Sequence, residues 1–189
     1  MRTYELGSLF GLRVTLRAQA FMGTLVLWVL FAAIARYVLR LPVGEALLGG
    51  LLAVALHWLS EIVHHLGHAI AARRTGYPMS GIRLGFLGVL TSSVYPRDEP
   101  ELPPALHIQR ALGGPLASLA IGLVAGALAL ALHPSGGLAW WLALFVCVEN
   151  IVVFGLQVFV PLGFNDASTV LHWWRQRQRQ RAATPPVRR

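Results

Sequence analysis

Four apolar runs, separated by short polar stretches, set the plan of the chain. Ala18 to Ala35 carries no charge and is bounded by Arg17 and Arg36, close to the ~20 residues that cross a ~30 Å hydrocarbon layer as a helix. A second uncharged stretch, Ala46 to Ser60, continues in helical pattern through Glu61 and three histidines to Arg73 and Arg74, so this span is polar at one end. The third, Ala111 to Leu132, lacks charge altogether and is rich in glycine, alanine and leucine, small residues that permit close helix packing in lipid. The fourth begins near Leu138, contains Glu149, Asn150 and Gln157, and ends at Pro161, where a missing amide donor stops or kinks a helix. Polar groups at that depth need partners inside the protein.

The connecting segments are shorter and of different character. Gly76 to Arg110 contains an alternating stretch, Gly81 to Val94, and the proline-rich segment Pro96 to Pro104, which predict a small β-hairpin followed by a loop. After Asp166, residues Ser168 to Arg181 end in an arginine–glutamine alternation, and the proline-containing end beyond them is expected to be disordered. The expected organisation is a strand-like segment over 1–17, a membrane domain over 18–172 and a basic tail over 173–189. No internal repeat is visible, and no removable signal peptide is expected, because the first twenty residues lack a compact apolar stretch ending in a cleavage site.

Composition agrees with this class: 56% of the 189 residues are hydrophobic and 13% charged, outside the range of ordinary soluble domains. All 16 basic residues are arginine against 8 acidic ones, a net charge of +8. The arginines sit between the apolar runs, where they orient the protein and meet lipid headgroups, and nucleic-acid binding is not needed to explain them. Only Arg36 and Arg40 fall outside the N-terminal segment, the central connection and the C-terminal tail. The positive-inside rule therefore predicts a cytoplasmic location for both termini and the central connection, in a cell (inner) membrane. The single cysteine, Cys147, excludes an internal disulfide.

Candidate chemistry concentrates in the second span. On an ideal helix His57, Glu61, His64, His65 and His68 fall within an arc of about 100°. Such a face cannot meet lipid and must face the bundle interior, a watery cavity or a metal. His64 and His68, four residues apart, can take two corners of a tetrahedral zinc ion. A third ligand has to come from another span at the same depth, and Asp166 qualifies; the competing reading makes Asp166 an N-cap, sharing its turn with Asn165. A di-iron carboxylate site fails for want of a second Glu-x-x-His pair. His57 reads as a polar contact, His107, His133 and His172 fall in loops or tail with no assigned role, and Trp140-Trp141 and Trp173-Trp174 fit interfacial belts.

The run His64-His65-Leu66-Gly67-His68, followed by small residues to Arg73, resembles the H-E-x-G-H helix of site-2 proteases, intramembrane zinc metallopeptidases. Gly7 to Phe21 is similar to that family's strand-forming entry, Gly114-Pro115 to its G-P-x-x-N element, and Pro161 to Asp166 to its proline–aspartate element, so the resemblance covers roughly Leu6 to Leu171. It implies an all-α integral membrane bundle, a three-span core preceded by one N-terminal span. It also implies one zinc ion on His64, His68 and Asp166, and a transmembrane polypeptide as substrate or partner, unwound locally near Gly81 to Val94. Oligomeric state is not encoded in these features.

The sequence departs from the family pattern at three positions: His65 replaces the glutamate that activates the metal-bound water, Ser118 the asparagine, and Ala167 the glycine. Losing a general base typically costs ~10² to 10⁴ in rate. Two substitutes are within reach: His65 itself, with a reference pKa near ~6.5, and Glu61, one turn earlier on the same face. The two functional expectations are a metalloprotease of transmembrane substrates and an impaired relative that binds metal or transmembrane helices as a scaffold or regulator.

Overall fold

A computed structural model describes residues 2–85 and 91–183. The chain opens with an antiparallel hairpin, β1 (Thr3–Leu9) and β2 (Leu12–Arg17), closed by Phe10 and Gly11 at φ +52° and +80°. Helix α1 (Gln19–Ala33) runs on through a π-helical turn, Ile34–Val38. Helix α2 (Val43–Arg74) starts directly after Pro42 and, at 1.5 Å per residue, is about 48 Å long, so it outreaches the hydrocarbon layer. Strands β3 (Gly81–Leu84) and β4 (Ser92–Val94) follow, then α3 (Pro104–Leu132) and α4 (Gly137–Val148). The last span continues beyond α4 as a π-helical segment, Glu149–Gly155, and a 3-10 turn, Leu156–Phe159, before α5 (Asp166–Ala183).

Four helical segments are long and apolar enough to cross a membrane: Gln19–Val38, Val43–Arg74, Pro104–Leu132 and Gly137–Phe159. The protein is an integral membrane protein with the expected four spans. Their outward faces carry exposed Leu25, Val29, Leu116, Leu123 and Val152, the apolar surface that lipid requires. The third span starts at Pro104, seven residues ahead of the expected Ala111. Proline at the first helical position needs no amide partner, and Arg110, which reads as a loop residue in the sequence, is buried inside the helix. Likewise the segment after Asp166 is helical to Ala183, and only 184–189 of the expected tail lies outside the described residues.

The expected hairpin of Gly81 to Val94 exists as β3 and β4 in antiparallel register, with 86–90 outside the described residues. It does not stand alone. β3 also pairs in parallel with β2, Arg13 opposite Gly81 and Leu16 opposite Leu84, giving a sheet in the order β1-β2-β3-β4. Parallel neighbours need a long crossover, and here α1 and α2 supply it. Leu12, Val14, Ile82 and Leu84 from this sheet pack on Ala69 and Ala72 of α2 with Met79 between them, forming the buried apolar core at the end of the bundle.

Two devices hold the spans together. The indoles of Trp28 and Trp58 donate across α1 and α2, to the Leu47 carbonyl at 3.0 Å and to Thr24 Oγ1 at 3.1 Å. Between α2 and α3 the backbones themselves meet. A Cβ on Gly67 would overlap the Gly113 carbonyl and lie 2.6 Å from Ala117 Cβ, and a Cβ on Gly113 would overlap the Gly67 carbonyl. In lipid, where apolar burial between helices gains little, such close approach through small residues is what associates them. Gly113→Val is therefore expected to lower the thermal midpoint in detergent by more than the ~1–3 kcal/mol of ordinary overpacking implies; an unchanged midpoint would contradict the contact.

Candidate metal centre

The register of α2 and α3 fixes what stands opposite the polar face of α2. Next to Gly113 comes Gly114, whose missing side chain leaves the space that the His64 and His68 rings occupy; a Cβ there would run into both Nε2 atoms. The two Nε2 atoms lie 3.1 Å apart. Asp166, the first residue of α5, places Oδ2 3.1 Å from His64 Nε2 and Oδ1 3.3 Å from His68 Nε2. These three residues form the one group of three or more potential metal ligands among the described residues.

The capping role that the sequence offers to Asp166 is taken by its neighbour. Asn165 Oδ1 accepts from the Ser168 amide at 3.3 Å and the Ser168 hydroxyl at 2.9 Å, while its amide group donates to the carbonyls of Gln157 and Val160. Asn165 thus caps α5 and ties it to the end of the last span, which leaves the Asp166 carboxylate free to face the histidines.

The far sides of both rings are tied down. His64 Nδ1 hydrogen-bonds Ser118 Oγ at 3.0 Å, and His68 Nδ1 donates to the Arg110 carbonyl at 2.8 Å. With the ring protons on the Nδ1 atoms, both Nε2 lone pairs would be left for a metal beside the carboxylate. Tetrahedral zinc with bonds of about 2.05 Å separates its ligand atoms by about 3.3 Å; the two Nε2 atoms are 3.1 Å apart, and each lies 3.1 or 3.3 Å from one oxygen of the carboxylate, so the donor set suits such an ion.

Arg110 carries a second load. Its guanidinium pairs with Glu99 at 2.6 and 3.0 Å, donates to the Tyr77 carbonyl and lies 4.4 Å from the Tyr95 ring centroid. The loop between β4 and α3 is thereby fastened to the residue whose carbonyl orients His68. Hydrogen bonding to Arg110 lowers the Glu99 pKa, so this pairing stabilises fully above the ordinary carboxylate value of ~4.3 and is lost as pH falls through the lower folded value. The stability gap between wild type and Glu99→Gln should be open at neutral pH and close in strong acid in thermal melts.

Position 65 stands apart from the ligand triangle. His65 Nδ1 bonds Ser93 Oγ of β4 at 3.1 Å, and its Nε2 is 3.8 Å from Glu61 Oε2. Both residues line a cavity of about 350 Å³ together with His57, Phe154, Gln157 and the three candidate ligands. His57 is the polar contact its position suggests, 2.7 Å from Glu149 Oε1, and Asn150 donates to Ser60 Oγ at 2.8 Å, so Glu149 and Asn150 of the last span each reach a partner on α2. Phe154, in the π-helical segment, stands between the rings of His57 and His64. Contrary to the loop and tail placement, His107 lies in α3, stacked on Trp173, and His172 lies in α5.

Ser93 and the Arg110 carbonyl carry no signal in the sequence, since only folding brings them to α2. Ser118 and Glu149 did carry one, as a departure from a motif and as a charge inside a span. Detergent-purified wild type should hold about one zinc per chain by elemental analysis. His64→Ala, His68→Ala, Asp166→Ala and Gly114→Ala should each lose it, and Ser118→Ala should weaken it ~10- to 100-fold.

No known family model matches the sequence, and no curated protein matches it. Among solved structures the chain is similar to the site-2 protease from Methanocaldococcus jannaschii, with a TM-score of 0.63 and 18% identity over 94% of this chain and 73% of that one. The protein has a site-2-protease-like fold.

Proposed function

We propose that this chain is a membrane-embedded zinc metalloprotease-like protein acting on transmembrane polypeptides, with His64, His68 and Asp166 as ligands. The observation that carries the reading is the convergence of His64 Nε2, His68 Nε2 and the Asp166 carboxylate, the two Nε2 atoms 3.1 Å apart and Oδ2 and Oδ1 3.1 and 3.3 Å from one each, with the other ring nitrogens bonded to Ser118 and the Arg110 carbonyl. Zinc held there would supply a Lewis acid and a nucleophilic water at neutral pH. The protein's own residues supply the rest. Glu61 and His65 line the cavity beside the triangle and are its candidate proton carriers, and β4, at the edge of the sheet, offers unpaired backbone groups to an unwound substrate segment. The arginine distribution orients the metal-bearing end of α2 towards the cytoplasm.

A second reading has its own observation. The His65 ring is engaged by Ser93 and lies outside the triangle, an arrangement suited to a relative that retains the metal and the helix-binding cavity but hydrolyses poorly. In the protease reading, wild type cleaves a reconstituted transmembrane substrate slowly, zinc chelation abolishes cleavage, and His65→Glu raises the rate ~10²-fold or more. Zinc-loaded wild type and His65→Glu that are both inert, yet retain the substrate in pull-down, would replace the protease with the binding protein. Activity of Glu61→Gln equal to wild type would remove Glu61 as the substitute base.

A further inference from the structure

Away from the metal centre, the outer flank of α2 near Arg73 and Arg74 is shaped in an unusual way. Two apolar grooves run along it, separated by the side chain of Ile70, which lines both and is 55% exposed. The larger, about 610 Å³, lies between α2 and α3 over Gly67, Ala71, Leu112 and Leu116. It exists because the helices meet there through glycine and alanine. The smaller, about 290 Å³, lies between α2 and the tip of the first hairpin, over Phe10, Leu12, Leu66 and Ala69. Arg74 lines the first groove and Arg73 the second. Neither groove shares a residue with the metal-site cavity.

The arginines are consecutive residues in the last turn of α2, both exposed, and among the described residues neither makes an ion pair. Arg73 spends one donor on the Phe10 carbonyl at 2.7 Å, which leaves most of its five N–H groups and all of those on Arg74 unspoken for. Gln109, lining the larger groove, adds two amide donors. Two apolar channels therefore divide around one side chain, each with a cation on its wall.

We propose that this flank holds a single two-chain phospholipid with an anionic headgroup, one acyl chain in each groove and the phosphate between Arg73 and Arg74. A transmembrane helix, about 10 Å across, cannot enter two grooves parted by one isoleucine, whereas a lipid forks naturally around it. The charge requirement follows from the unpaired arginines, since guanidinium groups match phosphate oxygens in geometry as well as sign. The seated lipid covers the Gly67–Gly113 crossing and ties the first hairpin to it. This reading does not depend on the metal or on catalysis.

The test is native mass spectrometry of the full-length, delipidated protein in detergent, titrated with dioleoyl phosphatidylglycerol, dioleoyl phosphatidylcholine and single-chain lyso-phosphatidylglycerol. Saturable binding of one phosphatidylglycerol per chain is expected, with the other two lipids at least about tenfold weaker. The double substitution Arg73→Gln/Arg74→Gln should weaken phosphatidylglycerol about 30-fold, roughly a factor of five per arginine. Leu116→Trp, which fills the larger groove and keeps both arginines, should weaken both two-chain lipids and decides the matter if the arginine variant does not fold. Equal retention of the three lipids, unsaturable binding of many copies, wild-type binding by Leu116→Trp or by a folded arginine variant, or a chain dimer that excludes lipid would each overturn the proposal.

Discussion

Everything near the candidate metal centre depends on the backbone contact between α2 and α3 at Gly67 and Gly113. Helices in lipid gain little from hiding apolar side chains from one another, so the approach must come from shape. Once the two backbones touch, Gly114 is close enough to α2 for the His64 and His68 rings to fill its vacant side-chain space, Ser118 falls against His64, and the Arg110 carbonyl falls against His68. A wider crossing would separate all three contacts together. The glycines therefore shape the candidate site without contributing a side chain to it.

The polar groups inside the bundle follow a matching rule. Most of the buried polar side chains on α2 and the last span are paired with a residue from another element: His57 with Glu149, Ser60 with Asn150, His64 with Ser118 and Asp166, and His65 with Ser93. An unpaired group at that depth is expensive, so these pairs also specify which helix faces which. The π-helical stretch Glu149–Gly155 shifts the register of the last span just where it must present Glu149, Asn150 and Phe154 to α2 in succession. Wide turns of this kind gather at functional sites.

Much of this was legible in the sequence because its signals are local. Uncharged runs of sufficient length marked the four spans, and the histidine spacing on one helical face marked the two α2 residues that converge with Asp166. The sequence alone could not say whether Asp166 caps the following helix; the hydrogen bonds of Asn165 show that the cap is Asn165. The early start of α3 was hidden because Arg110 looks like a boundary charge until Glu99 and the Tyr95 ring are seen around it. Ser93 as the partner of His65 and the parallel pairing of β2 with β3 are matters of tertiary proximity, on which periodicity is silent.

That parallel pairing bears on how the chain is assembled. Thr15 and Ile82, bonded across β2 and β3, are 67 residues apart, and two membrane spans lie between them. The strands cannot meet until both intervening helices have been inserted and have brought the chain back to the side from which it left. The sheet is therefore a latch that closes only on a correctly threaded helical pair, and it seals the apolar core around Ile82 and Ala72 in the same step. A chain with one span misplaced would leave β2 and β3 on opposite faces of the bilayer, each with a bare edge of unpaired amides and carbonyls. Such edges are what quality-control proteases and aggregation both act on, so topological errors in this protein would be exposed at its surface from the moment they arise.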